Sequence, residues 1–263
     1  RKRGVQIINR VMVFDLLADD NNKIVGAVGI DTRENRLVIF QSKSIVLGTG
    51  NCIRLYPAPT PGWDFNRADP PSTAGDGRAM AYRAGAELVN IEMPRRWAGP
   101  KYFARCGKAT WVGVFRDPQD KPIGPFITKP NRKYGDVISD AYPTLFSDYA
   151  NSGRGPVYMD CRGMPGEDYE YMMYGLKNEG NLALVNHLSE EGIDIRKNPV
   201  EFMTYEFTTR GGINYDEKGE TSLKGLYAAG DEYFGGISCA ATFGWIGGEN
   251  AAAYARKASF ADI

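Results

Sequence analysis

The sequence is poor in the residues that most often carry metal and nucleophile chemistry. Its 263 residues include one histidine, His187, and four widely spaced cysteines, Cys52, Cys106, Cys161 and Cys239. With no C-x-x-C pair and no second histidine, the sequence disfavours a Cys/His metal site. It also disfavours a Ser-His-Asp or Cys-His mechanism, unless His187 itself serves. Scattered cysteines are typical of reduced thiols, so we expect a cytoplasmic protein without a metal site.

Net charge and long apolar runs are also lacking. Lys and Arg number 32 and Asp and Glu number 32, so the sequence has no broad basic footprint for nucleic acid, and we expect no nucleic-acid partner. No apolar run approaches the roughly 18–20 residues of a membrane-spanning helix, and we expect neither a transmembrane segment nor a signal peptide. The 43% hydrophobic content is typical of a globular chain of one or two domains and excludes intrinsic disorder.

The opening of the chain predicts a small antiparallel sheet. Apolar segments at residues 5–17, 23–31 and 36–41 are separated by turn clusters rich in Asp and Asn. The shorter run at 44–47 is unbroken by polar residues, which predicts a strand buried on both faces, as in a parallel sheet. It ends in the turn Gly48-Thr49-Gly50.

Two helical patterns follow. The first comes after Ser72–Gly77, and we expect Thr73 or Asp76 to cap it. The second covers Asp168–Glu190, where Tyr, Met and Leu recur at helical spacing, and Gly192 is expected to end it. Near the end of the chain, a strand that runs into a Gly-rich turn precedes a helix of small residues, expected to begin near residues 240–243.

Three segments, taken in order, resemble one family. They are SIVLGTG at Ser44–Gly50, TAGDGRAMAYRAGAELVNIE at Thr73–Glu92, and Gly225–Ala253, which opens with GLYAAGD. The order resembles the FAD-dependent flavoproteins that include fumarate reductase, the succinate dehydrogenase flavoprotein, L-aspartate oxidase and the adenylylsulfate reductase alpha subunit. Gly48 stands where that family has Ala. The resemblance implies an α/β fold, namely a partial FAD-binding domain in two segments with an inserted α+β capping domain.

The resemblance also implies a division of the chain. Residues 1–92 and 208–263 would be the two segments of the FAD-binding domain, and residues 93–207 the capping domain that carries substrate groups. The family's N-terminal G-x-G-x-x-G unit is not found in this sequence. We therefore expect the C-terminal portion of a longer flavoprotein, with weak or no FAD binding by this portion alone.

The cofactor-binding candidates lie in the first and third segments. A turn of Gly and Thr lets backbone N–H groups approach a phosphate or ribose closely, and an Asp at a strand end can accept from a ribityl hydroxyl. The N-terminus of the following helix would face the negative edge of a reduced flavin. The candidates are therefore Thr49, Gly50, Gly230, Asp231, Ala241 and Thr242.

The candidates for catalysis are Arg96, Arg210 and Tyr205. Guanidinium groups bind small anions bidentately, and a tyrosine can wall the site or donate a proton. The sequence departs from the reductases at two points, because Phe207 occupies the position of their catalytic histidine and their late arginine is missing from 240–245. The aromatic and Pro-rich middle of the chain looks closer to the adenylylsulfate reductase branch.

The resemblance implies an FAD-dependent oxidoreductase. Hydride would pass between the flavin and a small anionic substrate, and an electron-transfer subunit would be the redox partner. Two alternatives stay open: a non-catalytic flavoprotein-like fragment or structural subunit, and a flavin dehydrogenase acting on a ring ketone.

Overall fold

The chain divides into two compact units. The structure is a computed structural model that describes residues 4–53, 55, 72–101, 111–123, 129–132, 148–149, 151–178, 181–233 and 235–261, with backbone only at 95–98 and 204–207. Unit 1 comprises residues 1–55, 72–94 and 208–263, and unit 2 comprises residues 56–71 and 95–207.

Unit 1 opens with the predicted antiparallel sheet. Strands β1 (Val11–Ala18), β2 (Ile24–Asp31) and β3 (Arg36–Gln41) pair in that order. The Asp- and Asn-rich clusters between them form tight turns, in one of which Asn22 has a φ of 57°. Residues 5–9 lie outside β1, so the first strand is shorter than predicted.

Two further strand pairs complete the sheets of unit 1. Strand β4 (Ile45–Leu47) pairs in parallel with β11 (Leu226–Ala228), and β5 (Leu88–Val89) pairs with β10 (Gly212–Ile213). The prediction of a parallel pairing is therefore confirmed for β4. The prediction that β4 is buried on both faces is wrong, because Val46 is 40% exposed on the face opposite the core.

The helices of unit 1 differ from the predictions at their ends. Helix α1 (Asp76–Arg83) begins after its N-cap residue Gly75, which has a φ of 86°, and among the described residues no side chain caps the helix. Neither Thr73 nor Asp76 therefore serves as predicted. A 3-10 turn at Gly230–Glu232 precedes helix α4 (Ile237–Lys257), which begins about one turn earlier than predicted.

The hydrophobic core of unit 1 lies between the sheets and α1. Its buried members come from several elements of the unit: Leu16, Ile24, Ala27, Leu47, Met80, Ala81, Ala86, Ile213, Tyr215, Leu223, Leu226 and Ala228. The core thereby fixes the ends of β4 and β11, from which the turns of the candidate site extend.

Unit 2 contains a four-stranded sheet. Strands β6 (Pro94–Pro100), β7 (Val114–Arg116), β8 (Val157–Asp160) and β9 (Val200–Thr209) are arranged in the order β6-β9-β8-β7. Trp111 and Phe202 pack edge to face in its core with ring centroids 5.1 Å apart.

The predicted helix at 168–190 is two helices. Helix α2 spans Gly166–Asn178 and helix α3 spans Leu182–Glu190. The sequence has Gly180 between them, a residue with a low helix propensity. Leu176 and Leu184 are buried on either side of the break, so the interruption leaves the apolar pattern facing one core.

A buried carboxylate organises one end of the sheet of unit 2. Asp160 accepts hydrogen bonds from Arg116 Nε at 2.5 Å and Arg162 Nε at 2.8 Å. Burial alone would raise the pKa of Asp160, but the hydrogen bonds from Arg162 and Arg116 outweigh burial and lower it. The folded protein thus favours the charged form of Asp160, which pairs with both arginines.

The described helices include none that is long and apolar enough to cross a membrane. Over the same described residues, no group of three or more His, Cys, Asp or Glu side chains is arranged to hold a metal ion.

Candidate functional site

The parallel pairing of β4 and β11 brings the first and third sequence segments together. Ala228 lies opposite Leu47, and the Ala229 N–H continues the ladder by donating to the Leu47 carbonyl at 3.0 Å. The turns that follow the two strands, Gly48–Gly50 and Gly230–Glu232, therefore leave the sheet at the same edge. Two parts of the chain that are distant in sequence therefore meet at this edge.

Thr49 and Glu232 join the two turns directly. The backbone N–H and the hydroxyl of Thr49 both donate to Glu232 Oε1, each at 2.5 Å. Glu232 is fully buried at 0% exposure. Both hydrogen-bond donors of Thr49 are consequently committed to the protein's own carboxylate.

The second segment contributes two residues at the start of α1. A Cβ atom at Gly77 would overlap the Thr49 hydroxyl oxygen, so the close approach of α1 to the turn requires glycine. Arg78, which is 4% exposed, donates from Nη2 to the Asp231 carbonyl at 2.6 Å. All three sequence segments therefore meet around Glu232.

Arg78 and Glu232 form a buried pair of opposite charges. Arg78 Nε and Nη1 and Glu232 Oε2 are buried without a hydrogen-bond partner among the described residues. Burial lowers the pKa of Arg78, and the charge of Glu232 opposes the shift. Burial raises the pKa of Glu232, while the Thr49 hydrogen bonds and the charge of Arg78 act in the other direction.

The Gly211-Gly212 pair is explained by two close backbone approaches. A Cβ at Gly211 would overlap the Val89 carbonyl oxygen, and a Cβ at Gly212 would overlap the carbonyl oxygen of Glu232. Strand β10 thus passes directly against the 3-10 turn. Two adjacent glycines allow that packing without displacing Glu232.

Asp231 links its turn to helix α4. Its Oδ1 accepts from the Gly236 N–H at 2.9 Å, next to the first residue of α4. Gly230 has a φ of 64°, and its carbonyl accepts from the Tyr215 hydroxyl at 3.2 Å. The carboxylate of Asp231 is half-buried and lies at the helix N-terminus.

Comparison with known proteins bears on this arrangement of turns. A sequence profile described as "FAD binding domain" matches residues 1–112. The chain is 25% identical over 245 residues to one subunit of the fumarate reductase (CoM/CoB) of Methanothermobacter marburgensis, covering 90% of this chain and 42% of that protein. It is 24% identical over 247 residues to the L-aspartate oxidase of Vibrio cholerae, covering 89% and 43%.

The fold agrees with the sequence matches. A solved quinol-fumarate reductase with menaquinol molecules superposes with a TM-score of 0.74 at 22% identity, over 96% of this chain and 46% of that chain. The chain is therefore similar to FAD-dependent flavoproteins of the fumarate reductase type, in sequence and in fold. It spans less than half the length of the curated relatives cited here.

The open side of the turns fits FAD, the cofactor named in the description of the matching profile. A Cβ at Gly48 or Gly50 would meet no atom of the described residues within 4 Å, so the outer side of the first turn is open toward them. Ala241 and Thr242 are exposed in the first turns of α4, which has no side-chain cap. The small side chains at these positions leave room for a planar group beside the start of α4, where Asp231 accepts from the Gly236 N–H.

Of the three catalytic candidates, the structure describes the side chain of Arg210 only. Arg210 is exposed, and its backbone N–H donates to the Met93 carbonyl at 2.8 Å. It belongs to unit 1, two residues before the Gly212 that packs against Glu232. The side chains of Arg96 and Tyr205 lie outside the described residues, so their roles stay predictions. His187 lies half-buried on α3, as expected of a helix-face residue.

The buried charges that join the two turns and helix α1, Arg78 and Glu232, were not predicted from the sequence. Arg78 lies within the segment Thr73–Glu92, and Glu232 follows the predicted Asp231. One signal in the sequence could have indicated Arg78. It is a charged residue among Gly, Ala and Met, on a helix that is otherwise suited to close packing. Its opposite charge lies 154 residues further along the chain, which is why spacing alone did not reveal the pair.

Proposed function

We propose that this flavoprotein is an oxidoreductase of the fumarate reductase and succinate dehydrogenase flavoprotein type. In the proposed reaction, hydride passes between FAD and a small anionic substrate. The observation that carries the proposal is the meeting of three family segments around Glu232, with the glycine turn open on its outer side. When bound, FAD supplies the hydride-transfer chemistry.

The cofactor would lie along the turns of unit 1. Thr49, Gly50 and Gly230 would contact it through the backbone and the Thr49 oxygen, and Asp231 would orient the N-terminus of α4. Ala241 and Thr242 are exposed there and leave room for the ring system. The positive end of this 21-residue helix would favour the negative charge that develops on a reduced flavin.

We assign residues 1–92 and 208–263 to the FAD-binding domain and residues 93–207 to a capping domain. A capping domain over such a site excludes water during hydride transfer. The four-stranded sheet and two helices of unit 2 supply the α+β composition that this role implies.

The substrate would be bound by arginine. Arg96 and Arg210 are the proposed anion ligands, and Tyr205 is the proposed proton donor, since Phe207 cannot carry a proton. Arg210 is exposed and follows the buried Thr208 and Thr209, which fix the backbone on its N-terminal side. An electron-transfer subunit is the proposed redox partner.

The experiment is reoxidation of the reduced flavin. The protein is loaded with FAD at a concentration that saturates its flavin fluorescence change, photoreduced without oxygen, and mixed with a panel of small dicarboxylates and with adenylylsulfate. The proposal expects one of these anions to restore the oxidised flavin spectrum. It also expects Arg210→Gln and Arg96→Gln to slow reoxidation by at least about tenfold.

The matched control is Arg33→Gln, which changes an exposed arginine in the β2–β3 turn and should leave the rate unchanged. Bound flavin that no anion reoxidises would contradict the proposed activity and favour a non-catalytic role.

A further inference from the structure

The Gly48–Gly50 turn has the donor arrangement of an anion-binding site. The Thr49 N–H and hydroxyl converge on one oxygen atom, Glu232 Oε1. The Gly50 N–H also donates to this carboxylate, which lowers the pKa of Glu232 against the larger effect of burial, which raises it. Successive backbone N–H groups in a turn bind phosphates and other anions in this way.

Residues of two other elements, β10 and α1, surround Glu232 at the turn. Gly212 packs against the backbone carbonyl of Glu232, and a Cβ at Gly77 would lie 3.1 Å from Oε1. Two glycines from two further elements thus admit the glutamate. Arg78 supplies a buried positive charge next to it. A fortuitous surface contact would show neither the complete burial nor the shaped surroundings.

We propose that the Gly48–Gly50 turn is an anion-binding site whose ligand in the folded protein is the carboxylate of Glu232. The turn is therefore closed to phosphate from solution. When the Glu232 side chain is removed, the turn should bind a small monocarboxylate of similar size. This inference concerns the chain's own residues and does not depend on the oxidoreductase activity.

A consequence follows for the cofactor, and this part rests on the proposed function. With its N–H and hydroxyl both donated to Glu232, Thr49 offers only oxygen lone pairs to a ligand. It would therefore recognise a hydrogen-bond donor such as a ribityl hydroxyl rather than a phosphate oxygen. Glu232 acts here as a positioning residue.

The test is rescue of a truncated glutamate. Glu232→Ala removes the carboxylate and leaves the turn's donors and Arg78 in place. Titration with acetate should raise the melting temperature of the variant saturably by about 2–4 °C and should move the amide resonances of Thr49 and Gly50. Acetamide, a neutral molecule of the same shape, should do neither.

Two controls separate this result from a general salt effect. The wild-type protein and the variant Glu217→Ala, which truncates an exposed glutamate, should show no saturable response to acetate. Equal responses of Glu232→Ala to acetate and acetamide, or an equal response of the wild type, would overturn the proposal.

A second variant covers the case in which Glu232→Ala does not fold. Glu232→Gln keeps the shape of the side chain but removes its charge, so the hydrogen bond from the Thr49 N–H weakens. Hydrogen exchange of the Thr49 amide should then be about fivefold faster or more, because hydrogen bonds to charged groups are stronger. An unchanged exchange rate would show that the turn does not bind Glu232 as an anion.

Discussion

Thr49 and Glu232 lie 183 residues apart in sequence and share two hydrogen bonds of 2.5 Å. The first follows strand β4 and the second follows strand β11, so the bonds extend the parallel pairing beyond the last ladder position. They involve a buried carboxylate, which makes them stronger than neutral hydrogen bonds. The contact thus joins two segments of unit 1 that are distant in sequence.

Replacing Arg78 tests the buried pair at the centre of this wall. Arg78→Met keeps the length of the side chain but leaves the charge of Glu232 without its buried counter-charge. We expect the free energy of unfolding to fall by about 3–5 kcal/mol. The measurement is denaturant unfolding followed by circular dichroism.

Arg83→Met is the matched control on the same helix. Arg83 is half-exposed and lies 3.3 Å from the half-exposed Asp15, so its loss should change the free energy of unfolding by less than about 1 kcal/mol. Equal effects of the two substitutions would contradict the role assigned to Arg78.

Gly212→Ala tests the packing of β10 against the 3-10 turn. The added Cβ would overlap the carbonyl oxygen of Glu232, so one of the two backbones would have to shift. We expect a loss of more than about 4 kcal/mol, or a protein that does not fold. Thermal unfolding and soluble yield are the measurements.

Gly244→Ala provides the comparison. A Cβ at this position of α4 meets no atom within 4 Å, and alanine is the better helix former. The substitution should stabilise the protein by up to about 1 kcal/mol. A stable Gly212→Ala variant would refute the close approach described here.

Asp160→Asn tests the buried carboxylate of unit 2. The substitution leaves Arg116 and Arg162 without the charge that they share, and we expect a loss of about 3–5 kcal/mol at neutral pH. Asp20→Asn, which alters an exposed aspartate in a turn, should have little effect. Chemical unfolding of both variants at pH 7 measures the difference.

Acid should also remove the contribution of the Asp160 carboxylate to the free energy of unfolding. The pKa of Asp160 is lower in the folded protein than the ordinary value of 3.8, so its carboxylate stabilises the fold above that pH. This stability is lost as pH falls below 3.8 toward the lowered pKa, because the folded state then takes up the proton. The difference between the wild type and Asp160→Asn should therefore shrink between about pH 5 and the acid limit, and a constant difference would contradict the assignment.

The sequence predicted the parts of the fold that local pattern determines. Apolar runs and Asn-rich turns were sufficient for β1 to β3, and the unbroken apolar run at 44–47 indicated the parallel setting of β4 but not its partner strand. The break between α2 and α3 was missed because periodicity continues across Gly180. The Arg78–Glu232 pair was missed because tertiary packing alone brings two charges 154 residues apart into one buried site.

The most direct test of the proposed FAD site, formed by the two turns and the start of α4, is to map which residues FAD contacts. Isotope-labelled protein is titrated with FAD into the millimolar range, so that weak binding is also detected, and backbone amide shifts are recorded. The account predicts that the largest shifts fall on Gly48–Gly50 and on residues 230–242. FAD-dependent shifts confined to residues outside these two regions would contradict it.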